Sequence, residues 1–391
     1  MKIAMMTNNY KPFVAGVPIS VERLTEGLRR RGHQVVVFAP SYDDQEEEAD
    51  VVRYRSLLRG VACGFSVPDS LDPKIERSFR DGNFDVIHVH HPMLIGRTAR
   101  YLSRKYQIPL VFTYHTRYEQ YLHYVGMSGL SGLLPYYIRS CTKQCDLVIA
   151  PTQKIKEYLE KIGIDPPIRV LPTGLMKDAY FPDEARSREI RERFLKRRRY
   201  LFLTLARLAK EKNLDFLLNS LRIFKEKNGA DFRFVMVGEG PERKRLEQKA
   251  EALGLTDEIC FVGKVQNEEI KNYCHASDLF LFASGSETQG IVLLEAMAAG
   301  TPVLALQATG TEDIVQNGIN GYMTQASEIE FAEKLMDILE KKEIAYLRQG
   351  ALATAGNYES SRIAREAEEA YRSIFAGCHR QVAMGGMVMI Q

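Results

Sequence analysis

A chain of 391 residues is longer than one hydrophobic core usually organises, so two domains are the first expectation. Its 45% hydrophobic and 26% charged residues are the composition of a soluble globular protein, and it has no run of about eighteen apolar residues of the kind that crosses a bilayer. The six cysteines lack CxxC spacing and any clustering with histidine, which excludes a zinc ribbon and suits reduced thiols, and a net charge of only +3 gives no reason to expect a nucleic-acid partner.

The N-terminus MKIAMMTNNY reads as the start of a strand rather than a signal peptide, so a cytoplasmic protein is expected. KIAMM is followed by a helix over 17–31, and the apolar runs QVVVF, DVIHV, PLVFTY, DLVIA and IRVL then recur at helix-length intervals, one helix falling over 94–105. The acidic stretch 43–50 reads as a solvated loop; apart from it, residues 1–172 are basic and could face an anionic surface. After a charged stretch at 186–199 the pattern restarts with YLFLTLAR, FRFVMVG, EICFVG, DLFLFA and TPVLAL, with helices over 214–227 and 242–253. This alternation predicts parallel sheets with crossover helices, hence an α/β chain of two doubly wound, Rossmann-like domains facing across a cleft. A helix over 327–340 follows, and a C-terminal helix over 358–375 is expected to pack across the domain junction. The domains are then 1–172 with about 358–391, and 173–357; the Met- and Gly-rich tail 377–391 has no period and is expected to be disordered.

Ligands of such folds bind beyond the carboxyl ends of the strands, and the chemically suggestive residues fall there. In YKPFVAGVPIS, Ala15 and Gly16 sit between the first strand and helix, where a small residue allows close approach to a phosphate; a bare turn into the helix explains them too. In VIHVHHP, strand alternation sends His88 and His90 to one face and His91 to the other, and no carboxylate is near, so no metal site is read here. His115 in TYHT follows a strand directly and could donate a hydrogen bond near a reacting sugar or position its pyrophosphate, or be structural. Arg207 and Lys212 in ARLAKEKN would suit a diphosphate, and equally a solvated basic loop neutralised by Glu211. Gly238 and Gly240 in VGEGPER let backbone approach a ligand, or simply make a tight turn. The most informative stretch is SETQGIVLLEAMAAG, in which seven residues separate Glu287 from Glu295 across a helix that opens near Gly290. Its first free N–H groups and positive dipole would hold a phosphate, with two carboxylates flanking it to accept hydroxyls.

Taken in order, ARLAKEKN, VGEGPER, FVGKV and SETQGIVLLEAMAAGTPV resemble the retaining glycosyltransferases of family 4 with the GT-B fold, over nearly the whole chain. The resemblance implies that Arg207 and Lys212 bind the donor diphosphate, that Glu287 and the backbone around Gly290, Ile291 and Val292 bind the hexose, and that Glu295 binds the ribose. The Gly263–Val265 segment, with Lys264 and Val265, would frame the base, and Gly16, Gly238 and His115 would join the site. The family usually has two glycines where this chain has Ala15 and Gly16. It needs no bound metal, so the expected ligand is a nucleotide sugar, UDP-glucose, without a cofactor; transfer with retention at the anomeric carbon follows, the acceptor attacking from the leaving-group face.

FTYHTRYEQYLHYVG with LSGLLPYYIRSCTKQ looks more specifically like the bacterial 1,2-diacylglycerol 3-glucosyltransferases. Tyr118, Tyr121 and Tyr124, with Arg139 and Lys143, suit an interfacial helix on an anionic bilayer, and a pair of core helices accounts for the same residues. The expectation is an enzyme held peripherally on the inner face of the cell membrane, with a lipid acceptor. The same chemistry on another donor or acceptor, such as GDP-mannose and phosphatidylinositol, or binding without transfer, is the alternative.

Overall fold

The structure is a computed structural model and describes residues 1–45, 47–61, 65–117 and 132–385. The chain forms two compact units, one built from Met1–Gly174 together with the segment from Ser360 onward, the other from Leu175–Glu359.

In the first unit the elements are β1 (Lys2–Met6), α1 (Gly16–Arg30), β2 (Gln34–Pro40), β3 (Val51–Tyr54), β4 (Ser56–Val61), β5 (Phe65–Pro68), α2 (Pro73–Arg80), β6 (Val86–Val89), α3 (Ile95–Tyr106), β7 (Leu110–Thr113), α4 (Leu134–Thr142), β8 (Leu147–Ala150), α5 (Gln153–Lys161) and β9 (Ile168–Val170). Seven strands form a parallel sheet in the order β3-β2-β1-β6-β7-β8-β9, while β4 and β5 pair antiparallel as a separate hairpin. Strands β6, β7 and β8 are buried along their whole length, as expected where helices cover both faces of a sheet. Alternation then divides each strand between two cores: Ala4 and Met6 of β1 pack with Phe38, Ile87 and Phe112 on one face, and Ile3 and Met5 with Val21, Leu28 and Val111 on the other. Thr152 starts α5 by accepting from the Ile155 N–H, and Asp72 starts α2 by accepting from that of Lys74 with Pro73 in the first turn.

The second unit contains α6 (Glu184–Leu195), β10 (Tyr200–Leu205), α7 (Leu214–Asn228), β11 (Phe232–Val237), α8 (Arg243–Ala252), β12 (Ile259–Gly263), α9 (Asn267–Ala276), β13 (Leu279–Phe282), α10 (Ile291–Ala298), β14 (Val303–Leu306), α11 (Thr309–Glu312), β15 (Gly321–Thr324), α12 (Glu328–Glu340) and α13 (Ile344–Gly356). Its six parallel strands run β12-β11-β10-β13-β14-β15. Phe202 faces a core with Phe224, Phe232 and Phe234, whereas Leu201, Leu203 and Leu205 face one with Phe280, Leu294 and Met297.

The final helix, α14 (Ser360–Gly385), returns to the first unit and lies along α1. Ile363, Ala367, Ala370 and Tyr371 fill the core beside Val21 and Leu28, and Gly27 lets the two helices approach so closely that a Cβ there would lie 2.8 Å from that of Ala364. The helix continues through 377–385, where disorder was expected: alanine, glutamine, arginine and methionine favour helix and outweigh the single glycine, Gly377, that precedes its last residue.

Both sheets reverse their strand order at one place, between β1 and β6 in the first unit and between β10 and β13 in the second. Loops leaving the carboxyl ends of those adjacent strands diverge to opposite faces and leave a crevice, where doubly wound folds take their ligands.

Candidate active site

In the second unit the reversal point carries the charged residues. Arg207 follows β10 directly, and the chain then makes a single 3-10 turn, Lys210–Lys212, before α7. Gly238 and Gly240, after the neighbouring β11, keep this stretch in place: a Cβ on Gly238 would lie 1.9 Å from the Ala206 carbonyl oxygen, and one on Gly240 2.3 Å from that of Leu208. Leu208 N–H donates to the Glu239 carbonyl at 3.0 Å, and the Leu208 carbonyl accepts from Glu242 N–H at 2.9 Å. The glycines therefore fit the loop that presents Arg207, a packing role that needs no ligand.

From the adjacent strand, β13, the chain runs through Ser284 and Ser286 to Glu287. Lys212 and Glu287, 75 residues apart in sequence, form an ion pair, and Ser284 Oγ donates to the same carboxylate oxygen at 3.2 Å. The two charged side chains keep only 19% and 25% of their surface exposed, so the pair is held in a partly desolvated position. Arg207 instead pairs with Glu211 at 2.5 Å, whose side chain is 6% exposed. The expected cationic pair is thus two ion pairs side by side, each cation fixed by its own carboxylate.

Gly290 then takes the left-handed conformation, φ 68° and ψ 53°, and caps α10. The short loop from Glu287 to Gly290 is clamped from behind by Gly310 of α11: a Cβ there would lie 2.5 Å from the Glu287 Cβ and 2.8 Å from its carbonyl oxygen. Ile291 and Val292 form the first turn of α10 and are half-buried, with Leu293 and Leu294 fully buried below them. The amides of that first turn have no acceptor within their own helix and mark its positive end. Glu295 lies one turn further on, half-buried, with its charge reaching the Cys274 thiol of α9, which burial first and that charge second push well above the ordinary value. Lys264 is exposed and Val265 half-buried, directly after β12, packed against the core that α10 also fills.

Ser284 and Gly310 were not anticipated. Ser284 had a signal, being the first polar residue after an apolar strand and three before Glu287. Gly310 had none, since it meets Glu287 only through tertiary packing.

In the first unit Gly16 is the first residue of α1, where no atom comes within 4 Å of the position a Cβ would take. His115 follows β7 and its Nε2 lies 2.8 Å from His90 Nδ1. The alternation expected of VIHVHHP is observed: the His88 and His90 rings lie 4.2 Å apart, tilted by 33°, while His91 Nδ1 accepts from the Asn8 N–H at 3.1 Å. Burial pushes His88 and His91 down to about 3 and holds His90 well below its ordinary value, with neighbouring imidazoles adding to the effect; His115, half-buried, is lowered in the same direction.

Tyr118, Tyr121 and Tyr124 lie outside the described residues. Arg139 and Lys143 are exposed on and just after α4, beside Leu133 and Tyr136, which are 61% and 69% exposed. Burial and a hydrogen bond with Cys141 push Tyr137 up to about 12 against the pull of Arg100 and Arg97 on α3, which places more positive charge beside the same aromatic face. No helix among the described residues is long and apolar enough to cross a membrane.

Comparison with known proteins bears on the family and the fold. Residues 14–177 match the family Glycosyltransferase Family 4, and 186–351 match Glycosyl transferases group 1. The alpha-monoglucosyldiacylglycerol synthase of Acholeplasma laidlawii is 28% identical, covering 95% of this chain and 96% of its own. That of Streptococcus pneumoniae is 30% identical over 78% of this chain and 71% of its own. A GDP-mannose-dependent alpha-mannosyltransferase of Corynebacterium glutamicum is 26% identical over 86% of this chain and 79% of its own. Among solved structures, Anabaena HepE in complex with UDP has a TM-score of 0.77 at 20% identity and covers 95% of this chain and 100% of its own.

Proposed function

Because the chain belongs to the glycosyltransferases, its first half to family 4 and its second to group 1, we propose that it moves glucose from UDP-glucose to 1,2-diacylglycerol at a membrane surface, with retention at the anomeric carbon. The observation that carries this reading is the Lys212–Glu287 pair beside the amide end of α10, at the reversal point of the second sheet. A departing nucleoside diphosphate gains negative charge as the glycosidic bond breaks. Lys212, Arg207 and the α10 amides are fixed dipoles and charges that would meet it, and each such contact can contribute on the order of 3 kcal/mol when water is excluded. No metal is needed for that task in this reading. Glu287, oriented by Ser284 and Gly310, would accept hydrogen bonds from hexose hydroxyls, Glu295 from the ribose, and the Gly263–Val265 segment would lie along the base.

For the acceptor, the support is the similarity to two monoglucosyldiacylglycerol synthases together with the aromatic and basic face of α4. Tyrosines seat at the headgroup level of a bilayer, and arginine and lysine beside them are drawn to anionic lipid. Incubation with UDP-glucose, UDP-galactose and GDP-mannose, each with and without diacylglycerol in anionic vesicles, tests the proposal. Glucosylated lipid formed only from UDP-glucose and only with vesicles is the expected result. Turnover of a soluble acceptor without vesicles would reject the lipid acceptor, and product from GDP-mannose would reject the donor.

A further inference from the structure

We infer that Tyr371, on the C-terminal helix, is a positioning residue for the transfer site: its hydroxyl fixes the proton of His88 on Nε2, and this leaves the Thr113 hydroxyl a donor to an uncharged oxygen held in the adjoining recess. The part played in transfer rests on the reading of the β7 end as belonging to that site; the order of the protons does not.

Strand alternation brings the three groups together. His88 of β6 and Thr113 of β7 lie on the same face of the sheet as Val111, the face that α14 covers, and Tyr371 reaches them from that helix. His88 Nδ1 lies 2.7 Å from the Tyr371 hydroxyl, and Nε2 lies 2.6 Å from the Thr113 hydroxyl. His88 and Tyr371 are fully buried, and burial, with a smaller push from His115, keeps His88 neutral. The imidazole therefore carries one proton, so one nitrogen donates and the other accepts.

Two orders satisfy His88, and they differ in which hydroxyl proton is left over. With the proton on Nδ1, His88 donates to Tyr371, and Thr113 donates to Nε2. The Tyr371 proton is then stranded, because among the described residues its hydroxyl meets no other hydrogen-bonding group and the side chain lies in the core with Met5, Val21 and Ile363. A buried donor left without an acceptor is costlier than an unused lone pair. With the proton on Nε2, Tyr371 donates to Nδ1 and His88 donates to Thr113, so the proton left over belongs to Thr113. Thr113 lines a recess of the first unit with Ser20, Pro151, Thr173 and Ile363, which offers about 20 Å³ of room where one water needs roughly 10–15 Å³. This order puts the spare proton where an oxygen can take it. No lysine or arginine is among the described residues that line the recess, so it suits an uncharged oxygen better than a phosphate.

Long-range proton–nitrogen NMR of the full chain, labelled with ¹⁵N-histidine and recorded near neutral pH without substrate, reads the order directly, with His88 assigned through His88→Gln. The expected His88 has Nε2 protonated and Nδ1 bare; protonation of Nδ1, or of both nitrogens, overturns the inference. Tyr371→Phe removes the donor to Nδ1 and should raise a detectable Nδ1-protonated share, whereas Thr113→Val should leave the wild-type pattern in place. A pattern that Tyr371→Phe leaves unchanged, or that Thr113→Val inverts, takes control of the proton away from Tyr371 and overturns it too. Kinetics with the donor and acceptor that turn over then test the recess. Thr113→Val should lower kcat about tenfold, the effect of one lost hydrogen bond, at unchanged KM for the nucleotide sugar, and Thr113→Ser should restore the rate. Wild-type kcat in Thr113→Val overturns the recess assignment. A wild type that transfers nothing rejects the proposed reaction and the part played in it, while the NMR result stands on its own.

Discussion

Lys212→Met and Glu287→Gln, made singly and together, separate the structural from the catalytic work of the pair. Each side chain is about four-fifths or three-quarters covered, at 19% and 25% exposure, which lies between an exposed pair worth at most about 1 kcal/mol and a buried one whose broken half costs about 3–5 kcal/mol. Breaking it from either side should therefore cost about 1–2 kcal/mol, or about 5 °C in the melting of a unit of this size. The double variant leaves no stranded charge and should recover part of that loss, giving a favourable coupling of about 1 kcal/mol in a thermal-denaturation cycle. Turnover should behave otherwise. Loss of a cation that meets the leaving diphosphate lowers kcat by roughly 10²–10³-fold, and the double variant should be no more active than Lys212→Met alone. Full activity in both single variants would refute the site, and strictly additive melting losses would refute the pair.

The other expectations concern single features. Gly310→Ala puts a Cβ into the Glu287 backbone and should cost about 1–3 kcal/mol by overpacking and at least tenfold in kcat/KM; unchanged kinetics would show that the clamp on Glu287 is idle. His88, His90 and His91 are buried with pKa values below the ordinary 6.5, so the unfolded chain binds protons that the folded chain refuses. Stability is fully present above about pH 6.5 and falls as the pH drops below it, by up to about 1.4 kcal/mol per pH unit per histidine, and melting curves at successive pH values that stay flat would contradict this. Arg139→Ala with Lys143→Ala should weaken cosedimentation with anionic vesicles by about 30-fold, at about 1 kcal/mol per charge, while leaving UDP affinity unchanged. Turnover should persist after exhaustive treatment with EDTA, and its abolition with recovery on adding a divalent cation would place a metal where Arg207 and Lys212 are assigned.

Much of the fold was readable because parallel strands buried on both faces are plain apolar runs. DVIHV, PLVFTY and DLVIA needed no partner information to be recognised. The strands that were missed are those whose partners define them: VVRY and GYMT, at the outer edges of the two sheets, are short and only partly buried, and the β4–β5 hairpin pairs outside both. Of the site, Glu287, Gly290 and Lys212 were legible because the chemistry lies in one motif or at one strand end. That Lys212 would pair with Glu287, and Arg207 with Glu211, depends on β10 and β13 being neighbours, which the order of elements along the chain does not state. Gly238 was noticed for a ligand, whereas the carbonyl it avoids belongs to Ala206. The row formed by His88, His90 and His115 was half visible: alternation put two of them on one face, but the third comes from the next strand of the sheet.

The proposed reaction is tested most directly by incubating the protein with ¹³C-labelled UDP-glucose and 1,2-diacylglycerol in anionic vesicles, then determining the mass and anomeric configuration of the lipid product by NMR. An α-linked monoglucosyldiacylglycerol is predicted. A β-linked product would contradict retention, and labelled glucose left in UDP-glucose or released to water, with no lipid carrying it, would contradict the transfer itself.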